Sequence, residues 1–175
     1  DSRTIQPMLE TEAMFPNHCK AMMGLHPTYV KENWEEELNI IRSWLERRPF
    51  AAVGEIGLDY YWDKTFARQQ QQAFRMQIEW SLEFKLPIVI HMREATCDTL
   101  DIVHEFAQRG VRGVFHCFSG SYEIAREIID LGFYLGMGGV LTYPKAGLQE
   151  VIKQIDLKHL VLETDAPYLS PVPFR

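Results

Sequence analysis

Short apolar runs alternate along this chain with longer stretches of helical spacing. The runs are Cys19 to Leu25, Ala51 to Leu58, Leu86 to Ile90, Val111 to Phe115, Phe133 to Met137 and His159 to Leu162. Such runs, with little polar interruption, predict strands buried on both faces, as in parallel sheets. Between them apolar residues recur three and four apart. Leu38, Ile41, Trp44 and Leu45 form the stripe of a helix capped by Asn33, with Glu36 as its capping-box partner and Pro49 beyond its end. Further helices are predicted over about Phe66 to Phe84, Thr96 to Gln108, Ser121 to Gly132 and after Pro144. Another opens the chain before the turn at Pro16-Asn17, and the Gln69 to Gln72 run reads as a solvated helix face. Six strands alternating with helices, without a linker, predict an α/β fold with right-handed parallel crossovers in a single domain, 1–175.

The strands end on unusual residues. Ala51 to Asp59 closes on Glu55, bracketed by Gly54 and Gly57, and an ionised carboxylate ending an apolar run needs a compensating charge. The next two strands end on His91 and His116, and the last on Glu163 and Asp165. In a parallel barrel the C-terminal strand ends converge on the face where active sites sit. Two imidazoles with two or three carboxylates there predict a divalent-metal site of mixed nitrogen and oxygen ligands. A single such histidine is more often structural; the repetition at four strand ends carries the inference. His104, inside a helix, and His159, at the start of a strand, read as structural.

Composition narrows the class. The 175 residues are 46% hydrophobic and 24% charged, an ordinary globular balance, and the net charge of −6 argues against a broadly basic nucleic-acid surface. It leaves room for a local basic groove over a metal site. Cys19, Cys97 and Cys117 have no paired-ligand spacing and fit a reducing, cytoplasmic setting; no apolar run is long enough for a membrane span. The length is short for an eight-stranded α/β barrel of about 250 residues.

Gly54-Glu55-Ile56-Gly57-Leu58-Asp59, Ile90-His91-Met92-Arg93, Phe115-His116-Cys117-Phe118-Ser119-Gly120 and Glu163-Thr164-Asp165-Ala166-Pro167 resemble the signatures of the TatD family of metal-dependent DNases, and Gly24-Leu25-His26-Pro27 also matches. The resemblance covers nearly the whole chain. It implies a TIM-type (β/α) barrel metallohydrolase of the amidohydrolase type, acting on DNA phosphodiesters, exonucleolytically, with one or two divalent ions (Mg, Mn or Zn). Glu55, His91, His116 and Asp165 would be metal ligands, with Asp165 and Glu163 orienting or deprotonating the attacking water. His26, Ser119, Arg93 and Trp62 would contact the substrate. The family's His-x-His pair has no counterpart here, and motif order aligns Gly24 to Pro27 with the family's third strand. A chain lacking the first two barrel strands, a portion of a longer protein, is therefore expected.

Around the Glu55 loop, Tyr60, Tyr61 and Trp62 are interleaved with Lys64, Arg68 and Arg75, a mixture suited to stacking on bases and holding phosphates. DNA is the expected partner; no membrane and no protein partner is inferred. The same ligands also suit hydrolysis of a small amide or ester or of an aminoacyl ester on tRNA. A metal- or nucleic-acid-binding protein without turnover is the third reading.

Overall fold

A computed structural model describes residues 1–174, which fall into two compact units, the second beginning at Arg112. In the first, α1 (Ile5–Met14) and α2 (Trp34–Arg47) precede β1 (Val53–Asp59), α3 (Ala67–Phe84), β2 (Ile88–Arg93) and α4 (Thr96–Ala107). β1 and β2 are parallel, with Gly57 opposite His91 and Asp59 opposite Arg93. The second unit runs β3 (Gly113–Phe115), α5 (Tyr122–Asp130), β4 (Tyr134–Met137), α6 (Leu148–Ile152) and β5 (Leu160–Leu162). β4 pairs in parallel with β3 and with β5. Strands followed by helices, with parallel pairing throughout, give the α/β class that the alternation predicts.

The apolar runs lie where burial demands them. Val53, Ile56, Leu58, Ile88 and Ile90 are fully buried, as are Phe74 and Ile78 on the α3 face. In the second unit Phe115 packs edge-on against Phe133, ring centroids 5.5 Å apart, beside Leu135, Ala125 and Ile128. No helix among the described residues is long and apolar enough to cross a membrane.

Three local expectations change. The Cys19 to Leu25 run is not a full strand: it touches β1 through one parallel bridge, Met23 to Val53, so among the described residues five strands and a bridge stand where six strands were expected. Its exit is turned by His26-Pro27 into a single 3-10 turn, Pro27–Tyr29. Asn33 makes no side-chain cap; the start of α2 is served by Glu35, Glu36 and Glu37 in its first turn, favourable at the positive end of the helix dipole. Glu37 is also tied back to the N-terminus, accepting from the Ser2 N–H at 2.6 Å and the Ser2 hydroxyl at 2.8 Å. Finally, the Gln69 to Gln72 stretch is not uniformly solvated. Gln70 is 3% exposed because the inward seam of α3 runs Gln70, Ala73, Phe74, Gln77, Ile78 and Ser81.

Candidate metal centre

The first unit gathers His26, Glu55 and His91. One ligand atom from each lies within 4.8 Å of the other two. Each arrives for a local reason. Glu55 sits where the register between β1 and β2 slips, between Val53 and Ile56, an irregularity that re-aims a side chain out of the pleat. Gly54 and Gly57 make the close approach possible. A Cβ on Gly54 would lie 2.7 Å from Val89 Cβ, and one on Gly57, whose φ is +139°, would lie 2.0 Å from the His91 carbonyl oxygen. His91 and Arg93 are two apart on β2 and therefore share a face. His26 caps the 3-10 turn, and its ring lies 4.4 Å, centroid to centroid, from that of His91.

The donor set fits a divalent ion. His26 Nε2 lies 3.6 Å from Glu55 Oε2. Two ligand atoms at about 2.1 Å from one ion stand about 3.0–3.5 Å apart, so little movement brings them onto one. His26 Nδ1 accepts the Thr28 N–H at 3.2 Å and lies 2.8 Å from the Thr28 hydroxyl, so Nε2 is the nitrogen turned toward Glu55. His91 Nε2 meets Asp59 Oδ2 at 2.9 Å, a contact that, with the proton on Nε2, would turn Nδ1 into the nitrogen able to hold a metal. Asp59 is 2% exposed and also accepts the Tyr61 N–H at 3.0 Å. Its orienting contact was not anticipated from sequence. The available signal was a carboxylate closing an otherwise apolar strand.

The second unit gathers His116, Glu163 and Asp165. Glu163 clamps the end of β3: Oε2 lies 2.6 Å from His116 Nδ1, and Oε1 accepts the Cys117 N–H at 2.6 Å. Gly136 leaves room for that carboxylate, since a Cβ there would lie 2.8 Å from its carbon. The other ring nitrogen, His116 Nε2, faces Asp165 Oδ1 at 3.3 Å, a separation suited to two ligands of one ion. Ser119 is exposed in the loop after β3.

Over the β1 end, the Arg93 guanidinium carbon lies 3.7 Å from the Tyr61 ring centroid and 5.5 Å from that of Trp62. Tyr61 is 53% and Trp62 71% exposed, so this cation–aromatic stack presents open faces. Tyr60 turns the other way: its hydroxyl donates to Asp98 at 2.8 Å and accepts from Gln71 at 2.9 Å. Burial pushes its phenol up to about 12, with Asp98 adding to the rise.

Parallel strands alternating with helices and carrying imidazole and carboxylate groups define an α/β protein of the TIM-barrel kind with a candidate metal centre. The family model for the TatD related DNases matches residues 1–175, and the chain belongs to that family. It is 43% identical over 156 residues to YabD of Bacillus subtilis, named an uncharacterized metal-dependent hydrolase, covering 89% of this chain and 61% of that protein. It is 36% identical to YcfH of Escherichia coli K12, which carries the same description, over 87% of this chain and 57% of that protein. The crystal structure of the E. coli TatD homologue YjjV superposes with a TM-score of 0.87 at 32% identity, covering 97% of this chain and 66% of that one. The chain thus spans about three-fifths of the length of these curated relatives.

Proposed function

We propose that this chain is part of a divalent-metal-dependent hydrolase that cleaves DNA phosphodiester bonds from strand ends. The observation that carries the proposal is the His26–Glu55–His91 group, whose ligand atoms sit within 4.8 Å of one another. Beside it stands the family's description as DNases.

Glu55 and His91, joined by His26, would hold a divalent ion in the first unit; His116 and Asp165 would be ligands in the second. A bound divalent ion acidifies a water and neutralises charge on the phosphoryl oxygens. Asp165 takes the proton from the attacking water, its carboxylate being the one in its group whose partner is a ligating nitrogen. Glu163, with both oxygens engaged, orients His116 and keeps its proton on Nδ1. Arg93 meets the phosphate bidentately, while Tyr61 holds its plane and Trp62 offers a face to a base. Ser119, in a matched motif, contacts the substrate. The free thiols are consistent with a cytoplasmic setting.

The test is turnover by the full-length protein on labelled single-stranded DNA, duplex DNA and a panel of small esters and amides, with Mg²⁺, Mn²⁺ and Zn²⁺ each supplied. Shortening of DNA that is lost in His91→Ala is expected. Ester or amide turnover with intact DNA would overturn the substrate assignment, and no turnover of any kind would leave a binding protein.

A further inference from the structure

Helix α3 buries two glutamines on its inward seam, Gln70 and Gln77, which are 3% and 1% exposed. Each side-chain amide engages both polar atoms of a single backbone residue. Gln77 Oε1 accepts from the Leu25 N–H at 2.6 Å while its Nε2 donates to the Leu25 carbonyl at 3.2 Å. Gln70 Oε1 accepts from the Asp59 N–H at 2.9 Å while its Nε2 donates to the Asp59 carbonyl at 3.1 Å.

A buried amide is unfavourable unless its donors and acceptor are matched, and an apolar residue would fill the seam without that demand. The two clamped residues explain the choice. Leu25 lies outside any strand, is 1% exposed and immediately precedes His26. Asp59 ends β1, and its carboxylate holds His91 Nε2 at 2.9 Å. An amide that meets the N–H and C=O of one residue fixes that peptide as a neighbouring strand would. Where the Met23 bridge to β1 has ended, the glutamines supply the pairing that the chain itself does not.

We propose that Gln70 and Gln77 are positioning residues for the His26–Glu55–His91 group. Gln77 acts through Leu25 on His26, and Gln70 acts through Asp59 on His91. Because both clamps spring from one rigid helix, α3 sets the separation of the two imidazoles, whose ring centroids stand 4.4 Å apart. The inference rests on reading the group as a metal site and adds to it the parts that hold its nitrogens in place.

The test uses the full-length protein, with Mn²⁺ affinity measured by calorimetry beside the urea midpoint. Gln70→Met and Gln77→Met keep side-chain length and remove the bonds. Gln72→Met is an exposed control, and Ile102→Val on α4 is a buried control that lowers stability without touching either clamp. Both clamp variants are expected to weaken Mn²⁺ binding about 10-fold or more. Gln72→Met should leave affinity and midpoint unchanged; Ile102→Val should move only the midpoint. Unchanged affinity in both clamp variants, whatever the midpoint does, overturns the proposal. Should those variants fail to fold, amide exchange in the unaltered protein decides. The Leu25 N–H should exchange as slowly as that of Ile56 within β1, and exchange at the rate of an open loop overturns the clamp. His91→Ala separates the two readings: if it leaves Mn²⁺ binding intact, the metal site itself is wrong. If it removes one Mn²⁺ equivalent while the clamp variants bind normally, only the positioning role is.

Discussion

Gly57→Ala strikes the His26–Glu55–His91 group without altering any of its three side chains. Gly57 lies opposite His91 in the β1–β2 pair, with φ at +139°, and an added Cβ would stand 2.0 Å from the His91 carbonyl oxygen. Ordinary Cβ contacts begin near 3.4 Å, so β2 must retreat by about 1.4 Å at His91 or β1 must rotate away. Holding Ala at that φ costs about 1–3 kcal/mol. A retreat of that size breaks one or two strand hydrogen bonds beside it, at about 0.5–1.5 kcal/mol each. A destabilisation of about 3 kcal/mol follows, a factor of about 100 in the folding equilibrium. With a urea m-value of about 2 kcal/mol/M, the unfolding midpoint of the full-length protein should fall by about 1.5 M. Mn²⁺ binding should weaken as well, because the His91 backbone moves relative to Glu55 and His26. A midpoint within about 0.3 M of the unaltered protein, where surface changes lie, would mean that β1 and β2 are not packed as described.

Asp59→Asn should lower Mn²⁺ affinity about 10- to 100-fold, because the group orienting His91 loses its charge; calorimetry with unchanged affinity would return Asp59 to a loop-capping role. Asp165→Asn should cost most of the turnover on DNA while affinity for DNA persists, read by parallel rate and gel-shift assays; near-normal turnover removes Asp165 from the reaction. Trp62→Ala should weaken binding of single-stranded DNA by about 1–3 kcal/mol in a fluorescence titration if the ring stacks on a base, and an unchanged titration assigns the ring to packing. Tyr60, raised to about 12 from an ordinary value of 10.0 chiefly by burial, binds its proton more tightly in the folded state. Its contribution to stability is thus fully present below pH 10 and is lost as pH rises toward 12. The urea midpoint should fall across that window, and Tyr60→Phe should reduce the fall.

The residues most legible in the sequence were those whose chemistry contradicts their surroundings. Glu55 and His91 within apolar strands, and His116 just after another, stand out because burying such groups is unfavourable without a partner, although β1 and β2 run on past Glu55 and His91 to Asp59 and Arg93. Period and length also gave α3 and α4 to within a residue or so, since long amphipathic helices carry the strongest local signal. Two of the three errors have a common source. Asn33 carries a capping side chain that makes no cap bond, Cys19 to Leu25 has a strand's composition but meets β1 at one bridge, and Gln70 has a surface residue's composition but is buried. For the Cys19 to Leu25 run and for Gln70, contacts from outside the local segment decided the outcome. The two carboxylates with orienting contacts illustrate it too: Asp59 binds His91 from 32 residues away and Glu163 binds His116 from 47.

What the sequence determined by itself is the alternation of strands and helices, the α/β class and the imidazole and carboxylate side chains carried on and just after the strands, because period, turn residues and side-chain chemistry are local properties. What only the tertiary structure decided is which nitrogen of His91 and of His116 meets a carboxylate, that Asp59 and Glu163 are those partners, and that two buried glutamines of α3 bond to the backbones of Leu25 and Asp59. Those are matters of distance and hydrogen-bond partner between residues far apart along the chain, and no local pattern encodes them.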